Sequence, residues 1–217
     1  MLREYRDNAY KFWDGIHKEA GASSVRTDDW LDMFEDMITA TSKPVLDLGC
    51  GGGNDTLYLC GKGKEVISCD QSQNAIANIL KSFPEVKEAK CFNMLDGLPF
   101  DDGSFEVVIA DLSLHYFTEK DTFAVLSDIK RILVPGGHLI LRVNSVNDVY
   151  HGAGEGREIE HHLYETDSKM IKRFFDEEDI RYFFKDFEIE FMHEEVMKRY
   201  SHEKYLYRVC CRVPAKA

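Results

Sequence analysis

The chain has 217 residues, 44% of them hydrophobic, which is enough to bury the core of one globular domain. Its formal net charge of −12 repels phosphate backbones and anionic lipid, so we expect no nucleic-acid partner and no membrane partner. No apolar stretch approaches the ~20 residues needed to span a bilayer. The six cysteines form no C-x-x-C pair and no signal-peptide pattern is present, which favours a cytoplasmic protein with reduced thiols.

The first predicted element is a helical segment over residues 1–42, in which aromatic side chains form a partly apolar face. Tyr10 and Trp13 on this face are candidates to close over a ligand, and core packing explains them equally well. We therefore expect an N-terminal helical cap.

Strands and helices then alternate through residue 144. Continuous apolar runs predict the strands, and apolar positions at helical spacing predict the helices between them. The predicted strands cover 44–48, 65–70, the region near 87–93, 105–110 and 138–143, and the predicted helices cover 54–61, the segment from Ser72 to Pro84 and the segment from Thr118 to Pro135. This alternation predicts an α/β fold with a doubly wound, Rossmann-like, mostly parallel sheet.

Residues 144–175 break the rhythm, and a connection of this length is typical of a functional loop. Asp176 then opens another helix, and β-rich stretches near 187–193 and 205–213 predict a terminal antiparallel hairpin that completes a seven-stranded sheet. We expect a single domain, 1–217, whose parts after the cap are a cofactor-binding core at 43–144, a substrate-covering loop and helix at 145–187, and the hairpin at 187–217.

A glycine-rich segment, Asp-Leu-Gly-Cys-Gly-Gly-Gly at 47–53, joins the first strand to the first helix. Glycine adopts positive φ and lets a ligand approach the backbone closely. In an open α/β sheet this turn is where a nucleotide-like ligand binds, and Asp70 at the end of the second strand suits the hydroxyls of a ribose.

Two common nucleotide motifs are absent or incomplete. The nicotinamide fingerprint G-x-G-x-x-G fails at its third glycine, which is Asn54 when counted from Gly49 and Thr56 when counted from Gly51. The phosphate loop G-x-x-x-x-G-K-[ST] is missing. A nicotinamide-dependent oxidoreductase is therefore the weaker alternative.

The segment Val45–Gly53 resembles motif I of class I S-adenosylmethionine-dependent methyltransferases. Two later segments, 98–105 and 130–137, resemble further stretches of that family in the same order, so the resemblance covers roughly 43–144. Residues 51–59 are similar to the small-molecule branch that includes tellurite-resistance and thiopurine methyltransferases. The resemblance implies S-adenosylmethionine as the cofactor.

Within this family, the resemblance places Asp47 and the glycine turn on the methionine portion and Asp70 on the ribose. Asn93 and Met94 bracket the adenine, although Asn93 replaces the more usual aspartate and would hold the adenine amino group less strongly. Asp111 faces the methionyl end. The implied cofactor-binding residues are Asp47, Gly49, Cys50, Gly51, Gly53, Asn54, Asp70, Gln71, Asn93, Met94 and Asp111.

The residues around the methyl acceptor are less clearly indicated. His115, shortly after the fourth strand, is either a general base or a packed histidine bonded to a backbone carbonyl. Candidate acceptor contacts are Tyr10, Trp13, Tyr116, Asn144 and Arg157. His151, Glu155, Glu158, His161 and His162 have the right chemistry for metal ligands, but their spacing matches no metal motif, so we predict no metal.

The absence of two sequence motifs narrows the class of methyl acceptor. The chain lacks the Asn/Asp-Pro-Pro-aromatic motif of amino-methylating nucleic-acid enzymes and the Pro-Cys pair that attacks cytosine. Together with the acidic charge, this predicts in-line methyl transfer to a small molecule. A non-catalytic S-adenosylmethionine-binding protein is a further alternative, and the sequence leaves the acceptor and the oligomeric state undetermined.

Overall fold

The computed structural model describes residues 2–21, 25, 28–199 and 201–215. Its strands are β1 Val45–Leu48, β2 Val66–Asp70, β3 Glu88–Cys91, β4 Phe105–Asp111, β5 Leu133–Asn144, β6 Arg157–Glu160, β7 Leu163–Glu165, β8 Ile171–Arg173, β9 Glu188–Met197 and β10 Lys204–Arg212. Its α-helices are α1 Leu2–Ala20, α2 Glu35–Thr39, α3 Asn54–Gly61, α4 Gln73–Ser82, α5 Glu119–Ile132 and α6 Glu177–Phe183. No helix in these ranges is long and apolar enough to cross a membrane.

Seven strands form the main sheet in the order β3-β2-β1-β4-β5-β10-β9. The first five are parallel, β10 runs antiparallel to β5, and β9 runs antiparallel to β10. The predicted Rossmann-like sheet and its terminal antiparallel hairpin are confirmed. The strand order reverses between β1 and β4, and a ligand crevice is expected at the carboxyl ends of the strands there.

Alternate residues of the strands pack against different helices. Leu46 and Leu48 of β1 belong to a core cluster with side chains of α5 and α6, while Val45 belongs to a cluster with side chains of α2 and α3. This period of two is what a sheet covered on both faces requires. It also places Asp47, between Leu46 and Leu48, on the α3 side of the sheet.

Short polar side chains begin three of the helices, as the sequence predicts. The Oγ of Ser72 accepts from the N–H of Ala75 at 3.0 Å, and Thr118 caps α5 through the N–H of Asp121 at 3.2 Å. Asp176 and Asp179 form a reciprocal capping box at the start of α6. The predicted helical cap corresponds to α1 and α2, and residues 22–24 and 26–27 of it lie outside the described residues.

The prediction that Pro135-Gly136-Gly137 separates α5 from a strand starting at His138 is wrong. The helix ends at Ile132 and β5 starts at Leu133, which pairs with Phe105 across an irregularity in the ladder. The N–H of Gly136 donates to the carbonyl of Val213 at 2.9 Å, so hydrogen bonds carry the strand through the glycines.

The segment 144–175, which is predicted as a functional loop because it breaks the strand–helix rhythm, contains regular structure. Within this segment β6, β7 and β8 form a second, antiparallel sheet. Its strands are only three or four residues long, too short to show a period, and Leu163 and Ile171 are buried against Tyr5 of α1. The segment is therefore a folded unit that supports the N-terminal helix.

Candidate functional site

A cavity of about 480 Å³ lies at the carboxyl ends of β1, β2 and β4, where the strand order reverses. Its volume is within the ~300–1,000 Å³ typical of small-molecule sites. The turn after β1 forms one wall, and a face of α1 that includes Tyr5, Trp13 and His17 forms another. With Ala9, these residues recur every four positions (5, 9, 13 and 17), so one face of the helix faces the cavity.

The glycine turn brings backbone to the cavity surface. Gly49 has φ +82° and Gly51 has φ +49°. A Cβ on Gly49 would lie 2.4 Å from the Cβ of Ser113, and one on Gly51 would lie 3.3 Å from the His17 ring. The turn is anchored from below because the N–H groups of Gly49 and Cys50 both donate to the carbonyl of Cys69, at 2.7 and 2.9 Å.

Asp70 lines the cavity and also holds the glycine turn. Its carboxylate accepts from the N–H of Gly51 at 3.0 Å and from the N–H of Ser72 at 2.8 Å. Burial raises the pKa of Asp70, while these backbone donors and nearby His17 oppose the rise. The same carboxylate thus organises the turn and presents negative charge to a ligand.

Asp47 lies beside the cavity rather than in its wall. It is 1% exposed, and Oδ2 accepts from the Thr56 hydroxyl at 2.6 Å. Burial, together with the charges of Asp111 and Asp70, raises its pKa from the ordinary 3.8 to about 7. Gly53 is likewise outside the wall, and it begins α3 with φ +88° beneath Ile79, whose Cδ1 lies 2.7 Å from where a Cβ would stand.

A polar pair follows β2 and β3 at another part of the cavity. The Asn93 amide nitrogen donates to Oε1 of Gln71 at 3.0 Å, and Oδ1 of Asn93 accepts from the N–H of Leu95 at 2.9 Å. Gln71, Asn93 and Met94 all line the cavity, as do Gly49, Cys50, Gly51 and Asn54. The structure thus brings most of the predicted cofactor residues to one surface.

Asp111 lines the cavity but its charge is already paired. Arg142 forms two bonds of 2.7 Å to its carboxylate and a third, of 3.1 Å, to Asp28. Burial acts to lower the pKa of Arg142. The negative charges of Asp111 and Asp28 together have the larger, opposite effect, so the pKa of Arg142 is raised. The Arg142 guanidinium also lies 4.4 Å from the centre of the Trp30 ring.

Several cavity residues were not predicted from the sequence. Asp55 lines the cavity and accepts from the Trp30 indole at 2.8 Å, and burial, Asp111 and Asp47 raise its pKa well above the ordinary value. Ser113 donates to the carbonyl of Leu48 at 2.8 Å. The helical spacing of the α1 face could have identified Tyr5 and His17, whereas the pairing of Asp55 with Trp30 has no local signal.

The structure places two of the five predicted acceptor-binding residues in the cavity wall and the other three outside it. Trp13 and Tyr116 line the cavity, with ring centres 5.9 Å apart. Tyr10 does not line it. Asn144 is fully buried outside the wall, and neither polar atom of its side chain has a hydrogen-bond partner among the described residues. Arg157 is not in the cavity wall; it donates to Glu165 at 2.8 Å and, at 3.0 Å, to the hydroxyl of Tyr5, which does line the wall.

His115 is 2% exposed and does not line the cavity. Burial, together with the charges of Lys172 and Lys204, lowers its pKa well below the ordinary value. Its ring lies 4.2 Å from that of Tyr116, and its carbonyl accepts from the N–H of Arg173 at 2.7 Å. These contacts support the cavity wall through Tyr116.

Comparison with known proteins agrees with this geometry. Residues 46–141 match the family model described as a methyltransferase domain. Over this segment the chain is similar to S-adenosylmethionine-dependent methyltransferases. The matched segment contains the glycine turn, Asp70 and Asp111, and ends within β5.

Of three curated relatives, one is uncharacterised and the other two have different printed substrates. An uncharacterised methyltransferase of Synechocystis is 32% identical over 104 residues, 48% of either chain. Tocopherol O-methyltransferase of Arabidopsis thaliana is 29% identical and covers 62% of this chain and 40% of its own. The tRNA N(3)-methylcytidine methyltransferase of Drosophila melanogaster is 28% identical and covers 81% and 60%. The chain thus spans 40–60% of the length of these relatives.

Solved structures share the methyltransferase fold. A Methanosarcina mazei S-adenosylmethionine-dependent methyltransferase has a TM-score of 0.70 at 20% identity, covering 83% of this chain and 97% of its own. The 1,6-didemethyltoxoflavin N1-methyltransferase of Burkholderia thailandensis, solved with its substrate and S-adenosylhomocysteine, has a TM-score of 0.64 at 18% identity, covering 98% and 85%.

Proposed function

We propose that the chain transfers a methyl group from S-adenosylmethionine to a small-molecule acceptor. The observation that carries this proposal is the glycine turn held by Asp70 at the cavity wall. The glycines at 49 and 51 place backbone without side chains in the cavity wall, which suits close approach by a ligand, and the space where a Cβ of Gly49 would stand is filled by Ser113. Carboxylates in the same wall suit the net positive charge of the cofactor.

Different residues of the cavity would contact different parts of the cofactor. The backbone of Gly49, Cys50 and Gly51 would hold the methionine portion, with Asp47 acting on it from behind the wall. Asp70 would accept from the ribose hydroxyls, and the neighbouring Gln71 and Asn93 would contact the adenine. This assignment agrees with the rule that ligands bind outside the carboxyl ends of parallel strands.

The bound cofactor supplies a methyl group on a sulfonium, which is already a good leaving group. The protein then has to hold the acceptor in line, a task worth ~7–11 kcal/mol in well-oriented systems. Trp13, Tyr116, Phe117 and Ile171 form an apolar wall suited to a flat or aliphatic acceptor. His115 is buried behind this wall and does not line the cavity, so we assign it to packing rather than to proton transfer.

A small-molecule acceptor is favoured over RNA by charge. The formal net charge of −12 opposes the approach of a phosphate backbone. The tocopherol and toxoflavin methyltransferases act on small molecules by their printed names, and the tRNA relative gives the competing candidate. Placement in the tellurite-resistance and thiopurine branch stays a prediction.

A crystal soaked with S-adenosylhomocysteine tests the proposal. We expect the adenosyl group against Asp70, with the remaining space beside Trp13 and Tyr116 defining the size of the acceptor. A screen of small-molecule acceptors and unmodified tRNA then separates the classes. Methylation of tRNA alone would replace the small-molecule assignment, and cofactor binding without any turnover would favour a non-catalytic binding protein. An empty crevice after the soak would contradict the cofactor site itself.

A further inference from the structure

Outside the cavity, two histidines and an aspartate converge where the second sheet meets α6. His161 and His162 form the two-residue turn between β6 and β7, and Asp179 is in the first turn of α6. One potential ligand atom from each residue lies within 4.8 Å of the others. Sequence reasoning named the two histidines as possible ligands but predicted no metal, because Asp179 is 17 positions from His162 and no spacing motif includes it.

The backbone holds the turn in a fixed shape. His162 has φ +55°, and its N–H donates to Oε1 of Glu158 at 3.1 Å. Asp179 is only 8% exposed, and its Oδ2 also accepts from the N–H of Asp176 at 3.1 Å in the capping box. His162 and Asp179 are therefore each held by a hydrogen bond to a further residue, in addition to the bond between their own side chains.

The side-chain distances are close to those of a coordination shell. Nδ1 of His162 lies 2.7 Å from Oδ2 of Asp179, and Nε2 of His161 lies 4.0 Å from Oδ1. Ligands of tetrahedral zinc, at ~2.0–2.2 Å from the metal, lie about 3.4 Å from each other. A bound metal would replace the hydrogen bond between His162 and Asp179, and the His161 side chain, which is 72% exposed and stacks on the His162 ring at 3.8 Å, would turn inward.

We propose that His161, His162 and Asp179 bind a divalent transition metal ion of the zinc class. Two imidazoles and one carboxylate are typical zinc ligands, whereas calcium and magnesium prefer sites built from oxygen. Three protein ligands leave a coordination position for water. The site is separate from the cavity and does not depend on methyl transfer.

The ion would tie the β6–β7 turn to the start of α6. The second sheet carries Ile171, which lines the cavity and packs on Tyr5 of α1. Bound metal therefore stabilises the sheet that forms one side of the apolar wall. Its expected role is structural.

Calorimetric titration of the tag-free full chain with zinc chloride tests the site. We expect one equivalent of zinc to bind, and magnesium chloride to give no binding. The variant His161→Ala should weaken zinc by about tenfold or more, the range seen when even an outer partner of a metal is lost. The matched control His193→Ala removes an exposed histidine on β9 and should leave the affinity unchanged.

The absorption spectrum of the protein loaded with cobalt distinguishes metal bound at this site from metal bound by cysteine thiols. Cys91 is an exposed thiol that could bind metal. Ligation by histidine and aspartate gives no thiolate-to-cobalt charge-transfer band. The proposal is overturned if wild type binds no zinc, if His161→Ala binds it as tightly as wild type, or if the thiolate band appears. Circular dichroism of each variant verifies that a loss of binding is not a loss of fold.

Discussion

At the scale of single residues, the carboxylates around the cavity differ in what they already bind. Asp111 is paired with Arg142, and Asp55 is bonded to Trp30 and has a strongly raised pKa. In the hydrogen bonds described for the Asp70 carboxylate, every donor is a backbone N–H group. Asp70 is therefore the carboxylate best placed to bind a new hydroxyl donor.

Replacing Asp70 with alanine should weaken S-adenosylmethionine by ~1.5–3 kcal/mol, the range for a hydrogen bond to a charged group. The matched control is Glu85→Ala, which removes the same charge from an exposed position. Calorimetry of both variants measures the difference. Equal affinity in Asp70→Ala and wild type would mean that the ribose lies elsewhere.

Asp47 predicts a linkage between cofactor binding and protons. Because its pKa is raised to about 7, it is about half protonated at neutral pH, and a cation bound nearby favours the ionised form. Binding at pH 7 should therefore release a fraction of a proton, and affinity should increase from pH 6 to pH 8. Titrations in buffers of different ionisation enthalpy measure the release.

The variant Asp47→Asn keeps an oxygen for the Thr56 hydroxyl but cannot titrate. It should therefore lose most of the proton release while remaining folded. Release that persists unchanged in this variant would assign the proton to a different group.

At the scale of elements, α1 is attached to the rest of the fold by side chains. Asp14 accepts from the Ser72 hydroxyl at 2.7 Å and from the Asn74 side chain at 2.8 Å, which fastens α1 to the start of α4. The Tyr5 hydroxyl donates to Glu165 of β7 at 2.6 Å. These bonds hold the helix that forms one wall of the cavity.

Asp14→Ala should loosen α1 while the core stays folded. The Asp14 pKa is lowered chiefly by the Ser72 hydroxyl, so the ionised form is the one that α4 stabilises. We expect faster proteolytic cleavage within α1 and weaker cofactor binding, with a change in global unfolding free energy of only about 1 kcal/mol. Asp7→Ala, at an exposed position of the same helix, is the control. Unchanged cleavage would show that apolar contacts alone hold α1.

At the scale of the whole molecule, the sequence predicted what depends on local chemistry. The turn at 47–53, the cap at Ser72 and the capping acid Asp176 each depend on neighbours within a few positions, and the structure has them where they were expected. The second sheet was missed because its strands are too short to show a period. The bond from Arg142 to Asp111 was missed because its partners are 31 positions apart.

The position of Asp47 illustrates the same limit. The resemblance placed it with the cofactor residues, and strand alternation puts its side chain towards α3, where Thr56 binds it. Residue type and order along the chain predict which loops meet at a site. They do not predict which side chains of a strand reach its surface.

Cofactor binding should stabilise the whole fold. At a concentration of 100 times Kd, a ligand specific to the native state adds about 2.7 kcal/mol. For a chain of this size that corresponds to an increase in Tm of about 5–10 °C. Thermal unfolding with S-adenosylmethionine measures it, and NAD at the same concentration should give no shift. A shift with NAD alone would revive the nicotinamide alternative.

The ion pair between Asp111 and Arg142 makes the distribution of charge around the cavity uneven. The carboxylate of Asp111 is neutralised by the Arg142 guanidinium, while the carboxylate of Asp70 is bonded to backbone N–H groups and forms no ion pair with an arginine or lysine among the described residues. An arriving cofactor has its positive charge on the sulfonium and ammonium groups, so the charge of Asp70 attracts those groups during the approach, and the hydrogen bonds to the neutral sugar form at close range. Once the methyl group has left, the sulfur is uncharged and that long-range pull diminishes, which eases departure of the spent cofactor.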